Sequence, residues 1–357
     1  MAARLLVMPG DGIGPEITAA TLRVLEAASA AHGLGLEFEE APVGLAALAA
    51  EGTTLPAATM ARARQADGLV LGPLDTYAYP PRAEGGINAS AAFRTGLDLH
   101  ANIRPARTRP GLPAPCGRAF DLVVMRENTE GFYADRNMHD GPGEMLVTED
   151  VAIALRRITR AASTRIAEAA FALAATRPAA KVTAVHKANV LAKSDGLFLD
   201  CCRAVAARHP GIAYEEVIVD AMAAHLVRRP EAFDVVVTTN MYGDILSDQA
   251  SEMSGGLGLA ASLNCSETQA MAQAQHGAAP DIAGRGIANP ASLIGSAAML
   301  LHWLAPRRGA PELAAAGAAI EDALDAALAD PATRTADLGG RTGTMDFAAA
   351  LAARLGG

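Results

Sequence analysis

Two carboxylates in one short segment have the spacing of a cation site. Asp244 and Asp248 lie four residues apart in the segment NMYGDILSD, directly after an apolar run. Residues four apart share a helical face, so their charges repel unless a cation lies between them. Oxygen ligands suit Mg2+ or Mn2+ better than zinc, and Asp220, near the end of another apolar run, is available as a third. A solvated acidic helix start, stabilised by the helix dipole, explains the spacing equally well.

Three arginines are candidates for anion binding. Arg94 lies in a helical stretch, Arg104 lies in the segment ANIRP, and Arg126 ends an apolar run, so we expect the last two at element edges. The planar guanidinium fork is well suited to bidentate binding of carboxylates. In a chain of formal net charge −9, three such positions are consistent with a polycarboxylate substrate. Each one alone is more often a surface salt bridge.

Two further side chains could transfer protons. Lys187 follows an apolar run in the segment VHKAN, and Tyr133 follows Arg126 by seven residues. A lysine can act as a general base, and a tyrosine can return a proton to a carbanion or enol. Considered singly, each is more often structural than catalytic.

A glycine-rich turn, GDGIGPE at residues 10–16, follows the first apolar run. It departs from the dinucleotide fingerprint because the third glycine comes one residue early and no acidic residue follows at the right distance. A tight strand-to-helix turn with Pro15 in the first helical turn and a cofactor-contacting loop both remain open.

The elements that must position these residues alternate along the chain. A helix is predicted at 15–31, and short apolar runs stand at 4–8, 68–71, 122–125, 182–185, 217–219 and 235–238. Such alternation is typical of an α/β protein with a largely parallel sheet. The polar segment 134–150, punctuated by glycine and proline, predicts a long loop or a projecting arm.

Composition excludes several classes of function. The acidic net charge disfavours a general nucleic-acid binder or a protein of anionic membrane surfaces. No apolar run is long enough to span a membrane, and the first residues lack the apolar centre of a signal peptide, so a cytoplasmic location is expected. The four cysteines show neither a disulfide framework nor zinc spacing, and the adjacent Cys201 and Cys202 are expected to be buried in a helix.

Seven segments together resemble one family, the isocitrate/isopropylmalate dehydrogenases, which are metal-dependent β-decarboxylating dehydrogenases. In chain order they are GDGIGPEI, DLHANIRPAR, MRENTEGFY, VHKANVL, VDAMAAHLV, NMYGDILSD and HGAAPDIAGRGIANP. The resemblance implies a two-domain α/β fold that shares one large mixed sheet and is not a Rossmann fold. It implies a cofactor domain at 1–99 and 253–357, a second domain at 100–252, and a homodimer or larger assembly clasped by the arm at 134–150.

The resemblance also assigns roles to the residues singled out above. Arg94, Arg104 and Arg126 would hold the malate carboxylates, and Asp220, Asp244 and Asp248 would hold Mg2+ or Mn2+. Lys187 would remove the proton of the C2 hydroxyl group, and Tyr133 would protonate the enolate that remains after CO2 leaves. Asp220 and Lys187 would reach across the dimer to the other subunit's site.

The cofactor expected from the resemblance is NAD. Asp281 matches the acidic residue that accepts hydrogen bonds from the adenosine ribose, and a carboxylate there would repel the 2'-phosphate of NADP. The other residues expected to bind the cofactor are Asn189, His276, Gly277, Ile282 and Asn289. The chain departs from the family pattern at Gln273-Ala274, where relatives have Glu-Pro.

The substrate is expected to be a malate with a polar or carboxylate substituent at C3. The segment GPLDT at 72–76, with Asn88 and Ser90, resembles the isocitrate enzymes, although serine and asparagine are exchanged. Ser90 also stands at one of the places where isopropylmalate enzymes have an acidic residue and a leucine pair. Isocitrate or homoisocitrate therefore leads, 3-isopropylmalate follows, and tartrate and D-malate are further alternatives.

Two other classes of function fit parts of the sequence. One is a non-catalytic regulatory subunit, because some NAD-dependent isocitrate enzymes have such relatives; here every catalytic position is filled. The other is a plain dinucleotide-binding module that uses the turn at 10–14 without metal chemistry. Activity of the chain alone tests the first, and the replacement Asp244→Asn tests the second.

Overall fold

The computed structural model describes residues 3–133 and 143–356 and divides the chain into two compact units. The first comprises Met1–Phe93, Arg109–Pro113 and Gly255–Gly357, and the second comprises Arg94–Thr108 and Ala114–Ser254. The predicted division has the same order of the main segments. The bounds differ at three places: residues 94–99 and 253–254 lie in the second unit, and residues 109–113 lie in the first.

The described residues form twelve strands and eleven helices. The strands are β1 (Ala3–Met8), β2 (Leu36–Glu40), β3 (Gly68–Leu71), β4 (Ala101–Arg107), β5 (Asp121–Glu127), β6 (Glu144–Thr148), β7 (Val151–Ala154), β8 (Lys181–His186), β9 (Ala213–Ile218), β10 (Val235–Thr238), β11 (Leu263–Cys265) and β12 (Ala270–Gln273). The helices are α1 (Gly14–His32), α2 (Gly44–Glu51), α3 (Ala57–Ala63), α4 (Ala89–Gly96), α5 (Arg160–Ala174), α6 (Ser194–Ala206), α7 (Val219–Arg228), α8 (Asn240–Ser254), α9 (Ala291–Arg308), α10 (Pro311–Ala329) and α11 (Thr344–Leu355).

The fold is α/β with a large mixed sheet, as predicted. Five of its strands lie in the first unit in the order β2-β1-β3-β12-β11, and five lie in the second in the order β4-β5-β10-β8-β9. Most pairs are parallel, but β11 pairs with β12, and β4 with β5, in antiparallel fashion. Parallel strands buried on both faces read as continuous apolar runs, which is why β3, β5, β8 and β10 were visible in the sequence.

The turn at residues 10–14 is a close backbone packing site. Gly10 and Gly12 have φ values of 77° and 57°, in the left-handed region that glycine adopts without strain. A Cβ added to Gly12 would lie 2.0 Å from the carbonyl oxygen of Ala278, and the amide of Ile13 donates to that same oxygen at 2.8 Å. The glycines therefore let the turn lie against the segment that carries the predicted cofactor residues.

Asp11 holds the same turn from its other side. Its buried carboxylate accepts hydrogen bonds from the amides of Leu45 and Asp75, at 2.7 and 3.0 Å, and from the Tyr79 hydroxyl at 2.6 Å. Three donors on one carboxylate replace the water that burial removes. Asp11 thus has a structural role in the turn.

In the second unit, packing on the sheet fixes the position of α8. Leu246 and Ala250 of this helix belong to a buried apolar cluster with Leu122 and Val124 of β5 and with Met222 of α7. Because these side chains occupy one face, the opposite face of the first turns of α8 is left for polar residues.

The segment 134–150 was predicted as a loop or an arm, and residues 134–142 of it lie outside the described residues. Residues 144–148 are not loop: β6 pairs with β7 as a two-stranded antiparallel sheet. Both strands are exposed along their whole length, and Leu146 and Val147 have exposed fractions of 72% and 57%. The ribbon presents an apolar surface.

Three further predictions can be compared with the structure. Arg104 lies in the middle of β4 rather than at an element edge, because β4 extends on both sides of it. The strand at the predicted run 217–219 ends at Ile218, one residue earlier than predicted, since Val219 begins α7 and Asp220 lies in its first turn. Cys201 and Cys202 are buried in α6 as predicted. In the described part of the chain, no helix is long and apolar enough to cross a membrane.

Candidate functional site

Two adjacent strands of the second unit supply buried guanidinium groups. Arg104 on β4 and Arg126 on β5 have side chains that are only 6% and 2% exposed. In the antiparallel register Asn102 lies opposite Arg126, and the Asn102 side-chain oxygen accepts a hydrogen bond of 2.7 Å from Nε of Arg104. Two buried cations on neighbouring strands require anionic partners.

Helix α8 supplies those partners. Asp244 accepts hydrogen bonds from Nη1 of Arg126 and, at 3.0 Å, from Nη1 of Arg104. Asp248, one turn further along, lies 3.4 Å from the same Nη1 of Arg104. The predicted sharing of one helical face by Asp244 and Asp248 is thus seen in the structure, with a guanidinium group contacting both.

A glycine allows this close approach. A Cβ added to Gly243 would lie 2.7 Å from both Cβ and Cγ of Arg126, inside contact distance. Asn240, at the start of α8, accepts hydrogen bonds from Nε and Nη2 of Arg126 at 2.9 and 2.7 Å. The helix start is therefore held directly against the β5 arginine.

The electrostatics of the cluster favour an ionised carboxylate. Burial by itself raises the pKa of Asp244, but the positive charges of Arg126 and Arg104 outweigh it, so that its pKa lies below the ordinary value. The charge of Arg94 acts in the same direction, which places this third arginine near the same carboxylate. Burial, together with the charge of Arg126, lowers the pKa of Arg104 to about 10, so Arg104 stays protonated at neutral pH.

Tyr133 belongs to the same cluster. Its hydroxyl donates to Oδ2 of Asp244 at 3.3 Å, and the guanidinium carbon of Arg126 lies 5.8 Å from the centre of its ring. Six of the residues predicted from sequence are therefore brought together in the second unit, namely Arg94, Arg104, Arg126, Tyr133, Asp244 and Asp248.

Lys187 and Asp220 form a separate pair in the same unit. The ammonium group of Lys187, in the turn after β8, donates to the carboxylate of Asp220 at the start of α7. This hydrogen bond lowers the pKa of Asp220, and the carboxylate remains 70% exposed. Asn189 is exposed in the same turn. Over residues 3–133 and 143–356, no three His, Cys, Asp or Glu side chains lie together in a way that could hold a metal ion.

The first unit contains a cleft of 290 Å³. It is lined by His276, Gly277, Ile282 and Asn289, four of the predicted cofactor residues. Asp281, in the turn Pro280–Ile282, is exposed beside it.

His276 has a defined tautomer. Its Nδ1 lies 3.0 Å from the Gly277 carbonyl oxygen, which can only accept, so Nδ1 carries the proton and Nε2 is an acceptor. That Nε2 is buried and has no hydrogen-bond partner among the described residues. Burial lowers the pKa of this imidazole, which keeps it neutral at pH 7.

The predicted substrate residues Asn88 and Ser90 begin α4 in the first unit. The side-chain oxygen of Asn88 accepts from the amide of Ala91 at 3.0 Å and so caps the helix. The Ser90 hydroxyl donates to Oε1 of Gln273 at 3.0 Å. Gln273, where the chain departs from the family pattern, is therefore in direct contact with the predicted substrate residue Ser90.

Several polar residues of these sites were not identified from the sequence. In the second unit they are Asn102, Asn240 and Ser247, whose oxygens accept from the two strand arginines. In the first unit Asp337 lines the cleft and accepts from the Asn289 amide at 3.0 Å. Asn240 is the first residue of the segment NMYGDILSD, which was already identified from the sequence. No motif in the neighbouring sequence indicates a role for Asp337.

Comparisons with known proteins give one consistent answer. The family model described as isocitrate/isopropylmalate dehydrogenase matches residues 4–351. The chain is 43% identical to an isocitrate/homoisocitrate dehydrogenase of Thermus thermophilus over 98% of both chains. It is 40% identical to a 3-isopropylmalate dehydrogenase of Methanothermobacter thermautotrophicus, over 99% of this chain and 98% of the relative.

The chain belongs to the isocitrate/isopropylmalate dehydrogenase family. A crystal structure of isocitrate dehydrogenase from Methylococcus capsulatus matches it with a TM-score of 0.87 and 38% identity, covering 99% of this chain and 100% of that one. The predicted family and fold are confirmed. Oxidative decarboxylation by a dehydrogenase is thereby established as the reaction class, and the relatives' names leave the individual substrate open.

The residues present fit the groups that such a dehydrogenase uses. Asp244 and Asp248 offer only oxygen donors, their side chains are 37% and 49% exposed, and they lie on one helical face, as a hard divalent cation requires. In the first unit His276 lines the cleft, and its Nε2 is a hydrogen-bond acceptor. This atom fits a ligand that carries N–H or O–H donors.

Proposed function

We propose that this chain is an NAD-dependent dehydrogenase that requires Mg2+ or Mn2+ and oxidatively decarboxylates a 3-substituted malate, with isocitrate or homoisocitrate as the leading candidates. The observation that carries the proposal is the cluster of Arg94, Arg104 and Arg126 around Asp244. Three guanidinium groups and two carboxylates leave an excess of positive charge, and a divalent cation would add to it. A polyanionic substrate neutralises that excess.

The arginines bind and orient in this scheme. Arg104 and Arg126 are buried and fixed by Asn102 and Asn240, so their forks are already directed before a carboxylate arrives. A metal ion at Asp244 and Asp248, with the third carboxylate Asp220 supplied by a partner subunit, would provide Lewis acidity at the C2 oxygen, and NAD would accept the hydride from C2.

Two residues move protons. Lys187 would accept the proton of the C2 hydroxyl group as the hydride leaves C2. After the bond to CO2 breaks, Tyr133 would deliver a proton to C3, which carries the electron pair of the broken bond. The contact of the Tyr133 hydroxyl with Asp244 supports this role, because it holds the hydroxyl at the predicted metal ligand.

The pairing of Lys187 with Asp220 supports a shared active site. The two side chains contact each other, and among the described residues Asp220 belongs to no group of three His, Cys, Asp or Glu side chains that could hold a metal ion. In a homodimer both would complete the site of the partner subunit. The apolar ribbon β6–β7 supplies a surface for such an association, since Leu146 and Val147 are exposed in the single chain.

The hydrogen-bond polarity at α4 supports a polar substituent at C3. Because the Asn88 oxygen is used as the helix cap, its Nδ2 is the group left to face a ligand, and an amide N–H suits a carboxylate. One observation favours 3-isopropylmalate as the second candidate. The single proton of Ser90 is donated to Gln273, so Ser90 offers no donor to a substrate carboxylate.

The decisive experiment follows NADH formation by the purified chain with Mn2+, in parallel on isocitrate, homoisocitrate, 3-isopropylmalate, tartrate and D-malate. We expect the fastest turnover on a tricarboxylate and loss of turnover with EDTA. Fastest turnover on 3-isopropylmalate would support the proposed mechanism and would contradict isocitrate or homoisocitrate as the substrate. No turnover on any of the five would favour a non-catalytic subunit, and activity that survives EDTA and Asp244→Asn would favour a plain dinucleotide-binding module.

The cofactor has its own test. We expect kcat/KM to be higher with NAD than with NADP, because the carboxylate of Asp281 repels a 2'-phosphate. The replacement Asp281→Asn should reduce the difference in kcat/KM between NAD and NADP, because it weakens that repulsion. A preference of the native chain for NADP would overturn the assignment.

A further inference from the structure

A buried ion pair in the second unit lies behind the predicted base. Asp195, in the first turn of α6, has a side chain that is 0% exposed, and its Oδ1 accepts from Nη1 of Arg156, which is 8% exposed. Nη1 of Arg156 also donates to the Ser194 hydroxyl at 2.8 Å. Such a pair is expensive to bury, so the contacts that it makes are of interest.

The second oxygen of Asp195 reaches the backbone of the predicted base. Oδ2 accepts a hydrogen bond of 2.5 Å from the amide of Lys187. The next amide, of Ala188, donates to Nδ1 of His186 at 3.0 Å. Burial lowers the pKa of His186, so its Nδ1 remains an acceptor at neutral pH. Two side chains thus fix two consecutive amides at the point where Lys187 leaves the sheet.

The Arg156 guanidinium extends this support to the other candidate catalytic segments. Its Nη2 donates to the hydroxyl of Thr239 at 3.2 Å, directly before α8, and its carbon lies 5.4 Å from the ring centre of Tyr242 on that helix. On another side it lies 5.6 Å from the ring centre of Phe132, the neighbour of Tyr133. One planar cation therefore contacts the first turn of α6, the residue directly before α8 and the segment of Tyr133.

We propose that Arg156 and Asp195 are positioning residues, and that this buried pair fixes the backbone of the Lys187 turn against α6, the start of α8 and the Tyr133 segment of the same subunit. The pair would thereby set the direction in which Lys187 reaches the site of the partner subunit. The inference rests on the proposed function, since the roles of Lys187, Asp244 and Tyr133 come from it. The pair touches none of the reacting atoms. It acts by holding backbone, and a misplacement of about 1 Å can cost roughly 100-fold in rate.

The chain offers a matched control at the opposite end of β8. There Asp234 is also buried, its Oδ1 accepts from Nε of Arg177, and its Oδ2 accepts from the amide of Lys181 at 3.1 Å. The arrangement of carboxylate, guanidinium and backbone amide is the same, but Lys181 begins the strand and has no predicted catalytic role. Variants of this pair report what the loss of such an ion pair does to stability alone.

The experiment compares Asp195→Asn and Arg156→Lys with Asp234→Asn and Arg177→Lys in the full chain. Arg156→Lys keeps the charge and removes the fork, so it is the milder change if Asp195→Asn does not fold. We expect both test variants to lower kcat by about 10- to 100-fold with little change in KM, and the control variants to leave kcat within about twofold. All four should lower the unfolding temperature to a similar extent.

A second readout does not depend on turnover. Amide hydrogen exchange of the peptide around residues 187–191 should speed up at least tenfold in Asp195→Asn and Arg156→Lys, and the peptide around Lys181 should speed up in the control variants. Equal losses of kcat in test and control pairs, or unchanged exchange at 187–191, would overturn the proposal. Wild-type inactivity on every malate would defeat the proposed function instead, and the exchange measurement would still decide whether the pair holds the Lys187 turn.

Discussion

The replacement Gly243→Ala tests whether close packing of α8 on β5 sets the position of Asp244. The added Cβ would lie 2.7 Å from Cβ and Cγ of Arg126 and 3.2 Å from its Cα. Carbon atoms in contact lie about 3.5 to 4.0 Å apart. Arg126 is only 2% exposed and cannot turn away, so helix and strand must separate by about 1 Å.

This geometry predicts different effects on stability and on turnover. Overpacking costs about 1 to 3 kcal/mol, and the better helix propensity of alanine offsets about 1 kcal/mol of that. The net loss in the free energy of unfolding is therefore about 0 to 2 kcal/mol. The same 1 Å displacement carries Asp244 away from Arg104 and Tyr133, and we expect kcat to fall by about 100-fold.

The assay combines steady-state kinetics with urea unfolding. The control is Gly196→Ala in α6, where no described atom lies within 4 Å of an added Cβ. This variant should gain up to about 1 kcal/mol and keep full turnover. Native-like kcat in Gly243→Ala would refute the argument. A loss of more than about 4 kcal/mol would also do so, because unfolding and not displacement would then explain inactivity.

Three further outcomes are expected. Mn2+ should raise the melting temperature of the native chain and leave that of Asp244→Asn unchanged, and the turnover of Asp244→Asn should be about 100-fold lower than that of the native chain. An equal rise in melting temperature in both proteins would place the ion elsewhere. Burial raises the pKa of Glu130 to about 7, so the stability that its protonated form contributes is complete below about pH 4.5 and is lost as the pH rises through 7. Urea unfolding of the native chain should therefore show a loss of up to about 3 kcal/mol between about pH 5 and 8 that Glu130→Gln abolishes. The same pH dependence in both proteins would contradict this. Leu146→Asp should shift the chain toward monomer in sedimentation, whereas Met345→Asp, at an exposed site of the first unit, should not.

The chemistry-bearing residues were easier to predict than their supports. The i, i+4 spacing of Asp244 and Asp248 is a local property of a helix, so it could be read without the fold. Asn102 and Ser247 could not, because their oxygens meet the strand arginines through the β4–β5 register and the docking of α8. Asp337 reaches the cleft beside Asn289 from far along the chain, and only the packed unit brings the two together.

Two of the strands that the sequence did not predict, β2 and β4, lack a continuous apolar run. β2 reads LEFEE and is half exposed at the edge of its sheet, so it carries no continuous apolar run. β4 contains Pro105 and alternates between buried and partly buried positions, which hides its length and led to Arg104 being placed at an edge. The overall fold was predicted from the family resemblance of the motifs, since the periodicity alone indicated only an α/β class.

The two ion pairs at the ends of β8 bear on how the strand finds its alignment. At one end a buried carboxylate accepts the amide of Lys181, and at the other a buried carboxylate accepts the amide of Lys187. A slip of one residue against β9 and β10 would separate both amides from their carboxylates and exchange the side chains on the two buried faces of β8. Misaligned pairings during folding would therefore remove a hydrogen bond from both buried carboxylates at once, and the two carboxylates favour a single register for β8.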